Sequence, residues 1–173
     1  MIAMLPPFTS EGVLPPTADG APYPGSRDEV ETQFVIGLGN PPWRRALFDR
    51  WDLLRSSVAQ LVPSARWWLW GSLITNAPEP LFGHRATLRA VVRVDIEALP
   101  RTAGGLALLV ASIHSAETLH RVDASLAIGY PPHDPRSPDA VADLANWQHQ
   151  AGRAIVDLKS REMIPAGFIE VQP

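Results

Sequence analysis

The stretch that most constrains the fold is Trp67–Thr75, which reads Trp-Trp-Leu-Trp-Gly-Ser-Leu-Ile-Thr. An unbroken run of large apolar residues is typical of a strand that is buried on both faces, and the Gly-Ser pair directly after it predicts a tight turn. Because side chains alternate along a strand, Trp68 and Trp70 should share one face and Trp67 should lie on the other. The sequence therefore predicts that residues 65–74 form the central strand and its closing turn.

Patterns on either side of this strand predict helices packed on a small sheet. The predicted elements are a capped helix over about 27–35, a long helix from Pro41-Pro42 to Pro63, a loop over 75–85, strands over 86–96, 121–129 and 168–171, and helices over about 105–119 and 137–152. The strands are rich in β-branched residues, and the helices repeat apolar residues at three- and four-residue spacing. This order predicts the α/β or α+β class, with a small mixed β-sheet flanked by helices.

Alternation along the two strands after the loop assigns their side chains to two faces. The apolar face should carry Leu88, Ala90, Val92, Val94, Val122, Ala124, Leu126 and Ile128. The opposite face should carry Thr87, Arg89, Val91, Arg93, Asp95, Asp123 and Ser125. The polar side chains of the sheet are thus predicted to share one face.

Clusters of proline divide the chain into an arm and one domain. The chain has 18 prolines, and proline marks the joints between elements because it fixes φ and lacks an N–H donor. Residues 1–25 are predicted to form an extended, irregular, proline-rich arm that docks Phe8, Val13 and Leu14 on the rest. Residues 26–173 are predicted to form a single domain, and a hydrophobic content of 46% is enough for its core.

Composition excludes several functional classes. The net charge of −3 provides no positive footprint for nucleic acid or an anionic membrane, and the absence of cysteine excludes disulfides and cysteine-based zinc sites. The first residues lack the basic and apolar regions of a signal peptide, and no apolar run approaches the ~20 residues that span a bilayer. We therefore expect a cytoplasmic protein that does not enter a membrane.

The arginines of the long helix offer one candidate anion site. The apolar stripe of this helix is predicted to consist of Trp43, Leu47, Trp51, Leu54, Val58 and Leu61. Arg44, Arg45, Arg50 and Arg55 lie mostly off that stripe, where they could meet phosphate. A solvated helix face is the favoured interpretation.

The Gly-Ser turn is the main candidate for chemistry. A strand that ends in Gly-Ser, followed by a loop and a strand that carries Asp-x-Asp, is typical of the nucleotidyltransferase fold. Small residues let backbone amides approach a triphosphate, and two carboxylates at i and i+2 face the same way and can hold magnesium ions. A third carboxylate on a neighbouring strand completes such a metal site. Gly71 and Ser72 are thus possible phosphate-binding residues, although a tight turn explains them without a ligand.

The chain resembles a family of short, functionally uncharacterised bacterial proteins with a minimal nucleotidyltransferase-like fold. The resemblance is carried by Leu5-Pro6-Pro7-Phe8 with Gly12 and Leu14-Pro15-Pro16, by Trp70–Thr75 with Pro78-Glu79-Pro80, and by Asn146-Trp147 with Ser160–Val171. It implies a fold of this type and, from the settings in which related folds occur, a role in toxin–antitoxin or phage-defence systems.

The chain departs from this pattern where the two carboxylates should stand. One register places Thr87 and Arg89 at the degenerate metal positions, and a second register, anchored on Pro80, places Phe82 and His84 there. Only the third carboxylate survives, as Asp123. One carboxylate cannot hold two divalent ions, and the charge of Arg89 would repel them, so an Arg89–Asp123 ion pair across neighbouring strands is expected instead.

These features favour a non-catalytic regulatory or complex-forming subunit that needs no cofactor. Its partner would be a protein or a second copy of the chain, with nucleotide binding without chemistry left open. The alternative is an active nucleotidyltransferase that uses Mg²⁺, a nucleotide and a rearranged site with Asp123, Asp95 or Glu97, and modifies protein or RNA. The five histidines show no metal-ligand spacing. An exposed Trp43 or Trp67 would indicate a partner surface.

Overall fold

The computed structural model describes residues 5–77, 88–157 and 162–173. The strands within these ranges are β1 Tyr23–Gly25, β2 Arg66–Gly71, β3 Leu88–Asp95, β4 Val122–Gly129, β5 Arg153–Asp157, β6 Glu162–Pro165 and β7 Ile169–Val171. The α-helices are α1 Arg27–Glu31, α2 Pro42–Leu61, α3 Ala103–His114, α4 Ala116–His120 and α5 Ser137–Ala151. None of these helices has both the length and the apolar content of a bilayer-spanning segment.

The described strands form a five-stranded mixed sheet in the order β1-β7-β2-β3-β4 and a separate two-stranded sheet of β5 and β6. At the centre, β2 runs antiparallel to both β3 and β7. The outer pairs are parallel, β4 with β3 and β1 with β7. The predicted α+β class, with a mixed sheet and a central tryptophan-rich strand, is confirmed.

The two faces of the sheet are covered differently. On the first face, Trp67 and Leu69 belong to the main core, which includes buried residues of α1, α2, α3 and α4. On the second face, Trp68, Trp70, Val91 and Phe168 form a smaller cluster under α5. The predicted alternation of the three tryptophans is therefore correct. Trp67 is only 2% exposed, so the partner surface considered for it is absent at this residue.

Helix α2 begins after Pro41 with a proline in its first turn, which needs no N–H donor there, and it ends at Leu61. Its buried residues are Arg44, Leu47, Phe48, Trp51, Leu54 and Val58. The prediction of a solvated arginine face is therefore wrong for Arg44. On the outer face, Arg55 pairs with Asp52 at 2.9 Å, and Arg45 pairs with Glu31.

The N-terminal arm packs along the domain. Val13 and Leu14 are buried, and the Phe8 ring meets Phe34 edge to face with 5.6 Å between the ring centroids. The Gly167 N–H donates to the Leu14 carbonyl at 2.8 Å. The prediction that the arm is irregular throughout is wrong for its last residues, because β1 adds a strand beside β7.

One other local expectation needs correction. The predicted helix over 105–119 is divided into α3 and α4 at Ser115, whose hydroxyl donates to the Ala111 carbonyl at 2.7 Å. A serine that bonds back to the preceding turn competes with the regular helix pattern. The β5–β6 hairpin was not predicted.

The capping box of α1 is confirmed, since the Glu29 N–H donates to Ser26 Oγ and the Ser26 N–H donates to the Glu29 carboxylate.

Candidate functional site

Four of the residues singled out in the sequence meet at one end of the sheet. There β2 ends at Gly71, while β3 and β4 begin. Arg89 pairs in register with Trp70 on one side and with Asp123 on the other. Ser72 follows Gly71 directly, so Gly71, Ser72, Arg89 and Asp123 share this end. Thr87, Phe82 and His84 lie outside the described residues.

The expected ion pair between Arg89 and Asp123 is present. Arg89 Nε lies 3.5 Å from Asp123 Oδ2, and the two side chains are 54% and 52% exposed. Water and salt screen a pair this exposed, so it contributes about 0–1 kcal/mol to stability. Its importance is chemical, because the nearest cross-strand neighbour of the Asp123 carboxylate is a cation.

The turn after β2 requires glycine at its first position. Gly71 has φ 93° and ψ −156°, a conformation that other residues rarely adopt. The next residues, Ser72–Ile74, form a single 3₁₀ turn and are all buried. Ser72 is only 3% exposed and Gly71 is partly exposed. The role of this turn in phosphate binding therefore stays a prediction.

Arg44, on helix α2, stabilises the turn that follows β2. Its guanidinium donates to the carbonyl oxygens of Leu73 at 2.8 Å, Thr75 at 2.7 Å and Ala77 at 2.6 Å, and also to Phe34 at 3.3 Å. Burial lowers the pKa of Arg44 to about 10, which leaves it protonated at neutral pH. A buried cation is thus matched by four backbone acceptors.

Sequence reasoning missed Arg44 although a signal was present. Arg44 stands three residues before Leu47, four before Phe48 and seven before Trp51, which places it on the buried face of α2. Because the predicted apolar stripe began at Trp43, Arg44 fell outside the predicted buried face. Trp43 is partly buried, and the Arg44 guanidinium lies 4.4 Å from the centroid of its ring.

A second polar cluster lies on the α5 side of the sheet, centred on Glu170 of β7. Its carboxylate accepts hydrogen bonds from Trp68 Nε1 at 2.7 Å, Arg93 Nη1 at 2.6 Å and Gln172 Nε2 at 2.8 Å. The Arg93 guanidinium also lies 4.8 Å from the centroid of the Trp68 ring. These contacts tie β2, β3 and β7 together across the sheet, and the sequence reasoning did not single them out.

The acidic residues of the alternative active site do not all meet. Asp95 lies at the far end of β3, six residues beyond Arg89, which is about 20 Å at ~3.3 Å per residue. It pairs there with Arg66 at 3.5 Å. A site that combines Asp123 with Asp95 is therefore excluded. Within the described ranges, no group of three or more histidine and carboxylate side chains is close enough together to hold a metal ion.

A cavity of about 400 Å³ lies at the far end, between α5 and the carboxyl ends of β3 and β4. Its walls mix charges of both signs, from Arg66, Arg93, Asp95, Asp139 and Asp143. Arg66 and Arg93 already face carboxylates, Asp95 and Glu170 respectively. Arg136, which also lines the cavity, pairs with Asp134, so every arginine among the described lining residues already has a carboxylate partner and none is left to bind an anionic ligand.

The chain belongs to DUF6932, a family of unknown function whose sequence pattern matches residues 6–172. No curated protein and no solved structure matches the chain significantly.

Proposed function

We propose that this protein is a non-catalytic member of the nucleotidyltransferase-like proteins that it resembles, and that it acts as a regulatory or complex-forming subunit for a protein partner. The observation that carries the proposal is the Arg89–Asp123 ion pair, 3.5 Å long, at the end of the sheet where β2 turns at Gly71. In an active enzyme of this kind, that end would hold carboxylates and magnesium ions.

The electrostatics at this end oppose metal catalysis. Two-metal transfer needs several carboxylates around the ions, because each ion carries two positive charges. Asp123 supplies one carboxylate, and Arg89 places a permanent positive charge beside it. Recruiting a divalent ion would require breaking this pair and placing the metal next to the freed guanidinium.

The turn itself is kept in a defined shape. Gly71 has the positive φ that the turn requires, and Arg44 binds three carbonyls of the residues that follow. Nucleotide binding without chemistry is compatible with such a turn and stays part of the proposal. On the basis of the resemblance, we propose that the partner belongs to a toxin–antitoxin or phage-defence complex in the cytoplasm.

A labelling assay tests the proposal. The full chain is incubated with Mg²⁺ or Mn²⁺, α-³²P-labelled nucleoside triphosphates, and protein or RNA acceptors. We expect wild type, Asp123→Ala and the matched surface control Asp49→Ala to give the same background labelling. Labelling by wild type and Asp49→Ala that is lost in Asp123→Ala would overturn the proposal in favour of an active nucleotidyltransferase.

A further inference from the structure

One edge of the main sheet has no partner strand among the described residues. Strand β4 pairs with β3 on one side, and its other side is the end of the sheet. Its sequence, Val-Asp-Ala-Ser-Leu-Ala-Ile-Gly, contains no proline and no lysine, the residues that commonly protect an exposed edge. An eight-residue edge of this kind is a template for another strand.

A groove of about 680 Å³ runs along this edge between helices on the two faces of the sheet. The first wall consists of Val110, Ile113, His114 and Glu117 from α3 and α4. The second wall consists of Asp143, Asn146, Trp147 and Gln150, which form one face of α5. Residues Asp123–Leu126 of β4 line the groove between the walls.

The wall formed by α3 continues into an exposed apolar surface. Leu106 lies one turn before Val110, the two side chains are 40% and 43% exposed, and α3 contains no aspartate, glutamate, lysine or arginine. Exposed apolar side chains that adjoin a groove often mark an interaction site. The exposed side of α3 therefore favours an apolar contact beside the β4 edge.

The negative charge of the groove indicates which kind of partner it can bind. Its lining includes the carboxylates of Glu117, Asp143 and Asp123, of which Asp123 already pairs with Arg89. No lysine or arginine is among the described residues that line it. A second copy bound edge to edge by a two-fold axis would bring this acidic lining against itself, because such an interface uses the same patch on both sides. A partner segment with cationic side chains complements it.

We propose that the free edge of β4 binds an extended segment of a protein partner in which apolar residues alternate with lysine or arginine. Side chains of an added strand point alternately to the two faces of the sheet. One set meets Val110 and Ile113 on the α3 side, while the other passes its aliphatic stems over Trp147 and reaches Asp143, since the Asp123 carboxylate is already paired with Arg89. The inference rests on the partner-binding part of the proposed function and names the chemistry of that partner.

The test uses the full chain and the synthetic peptide acetyl-Val-Lys-Val-Arg-Val-Lys-Val-amide, followed by calorimetry and by ¹⁵N NMR of the protein. We expect one peptide per chain, with amide shift changes concentrated in Val122–Gly129. Asp143→Lys should weaken binding about tenfold or more, since it reverses a charge at the contact. The matched control Asp49→Lys, on the outer face of α2, should change the affinity less than twofold.

Two control peptides separate charge from backbone pairing. Replacing every cationic residue by glutamate, or the third residue, a valine, by proline, should abolish binding, because the first removes charge complementarity and the second removes a strand donor while keeping all three cations. Equal binding of the glutamate peptide, shift changes away from β4, or dimerisation of the chain through this edge in light scattering would each overturn the inference. Asp143 lies outside the Arg89–Asp123 pair, so metal-dependent labelling with intact peptide binding would overturn the non-catalytic assignment alone.

Discussion

The guanidinium of Arg44 donates a 2.8 Å hydrogen bond to the carbonyl oxygen of Leu73, two residues after the glycine that ends the central strand. Through this bond and those to Thr75 and Ala77, helix α2 holds the turn that follows β2. The shape of the candidate site therefore depends on a buried residue that does not itself face the site.

Removing the Arg44 side chain should destabilise the whole fold. Arg44→Met leaves carbonyls of the turn buried without donors, which should lower the free energy of unfolding by about 3–5 kcal/mol. Arg44→Lys keeps the charge but has fewer donors in a different geometry, so its cost should be smaller but measurable. Urea unfolding followed by tryptophan fluorescence measures both, with Arg50→Met as the control on the same helix. A cost of Arg44→Met below about 0.5 kcal/mol, within the range of ordinary surface substitutions, would show that the hydrogen bonds of Arg44 do not stabilise the fold.

Gly71→Ala should strain the turn. The φ of 93° is unfavourable for alanine, so we expect a loss of about 1–3 kcal/mol in the free energy of unfolding. Gly104→Ala is a useful comparison, because Gly104 lies in the first turn of α3 and its added methyl group would meet no atom within 4 Å. That variant should be neutral or stabilising by up to about 1 kcal/mol. Equal effects of the two variants would contradict the assignment of strain to Gly71.

Glu170 and Arg93 should be energetically coupled. Their 2.6 Å pair is largely shielded from solvent, with side-chain exposures of 13% and 23%, and Glu170 also binds Trp68. A double-mutant cycle with Glu170→Gln and Arg93→Met should give a coupling energy of about 1–3 kcal/mol by urea unfolding. The exposed pair Arg89–Asp123, treated in the same way, should give less than about 1 kcal/mol. If the effects of the two substitutions on the free energy of unfolding were additive, the predicted coupling between Glu170 and Arg93 would be contradicted.

Asp134 should titrate at unusually low pH. Its carboxylate accepts hydrogen bonds from the Arg136 side chain and backbone, which lower the pKa of Asp134 from 3.8 to about 2. Because the folded pKa is the lower one, the stabilisation is complete above the unfolded pKa and is lost as the pH falls towards 2. ¹³C NMR of the carboxyl group in wild type and Arg136→Gln measures this. The pKa of Asp134 should rise in the variant, and an unchanged value would contradict the assigned cause.

The sheet core was predictable from sequence because its signals are local. Alternation along β3 and β4 assigned Arg89 and Asp123 to one face, and the apolar run in β2 indicated the central strand. The spacing of apolar residues and the local composition are properties of a few neighbouring residues. These strands could therefore be predicted without knowledge of their tertiary contacts.

The features that were missed depend on contacts between distant parts of the chain. Strand β1 has three residues, too few to show a period, and it forms by pairing with β7 near the other end of the chain. The acceptors of Arg44 lie up to 33 residues away, and no local rule links an arginine to carbonyls at that distance. The position of Asp95 far from Asp123 likewise follows from the parallel pairing of β3 and β4.

Metal titration tests the central proposal most directly, namely that an Arg89–Asp123 ion pair stands where the nucleotidyltransferases that the chain is proposed to resemble would bind metal. Mn²⁺ is titrated by calorimetry into wild type, Asp123→Ala, Arg89→Asp and the exposed control Arg101→Asp, with and without a non-hydrolysable nucleoside triphosphate. We predict no stoichiometric binding by wild type, and a gain of binding only in Arg89→Asp, which sets a second carboxylate beside Asp123. Tight stoichiometric binding by wild type that disappears in Asp123→Ala would contradict the account.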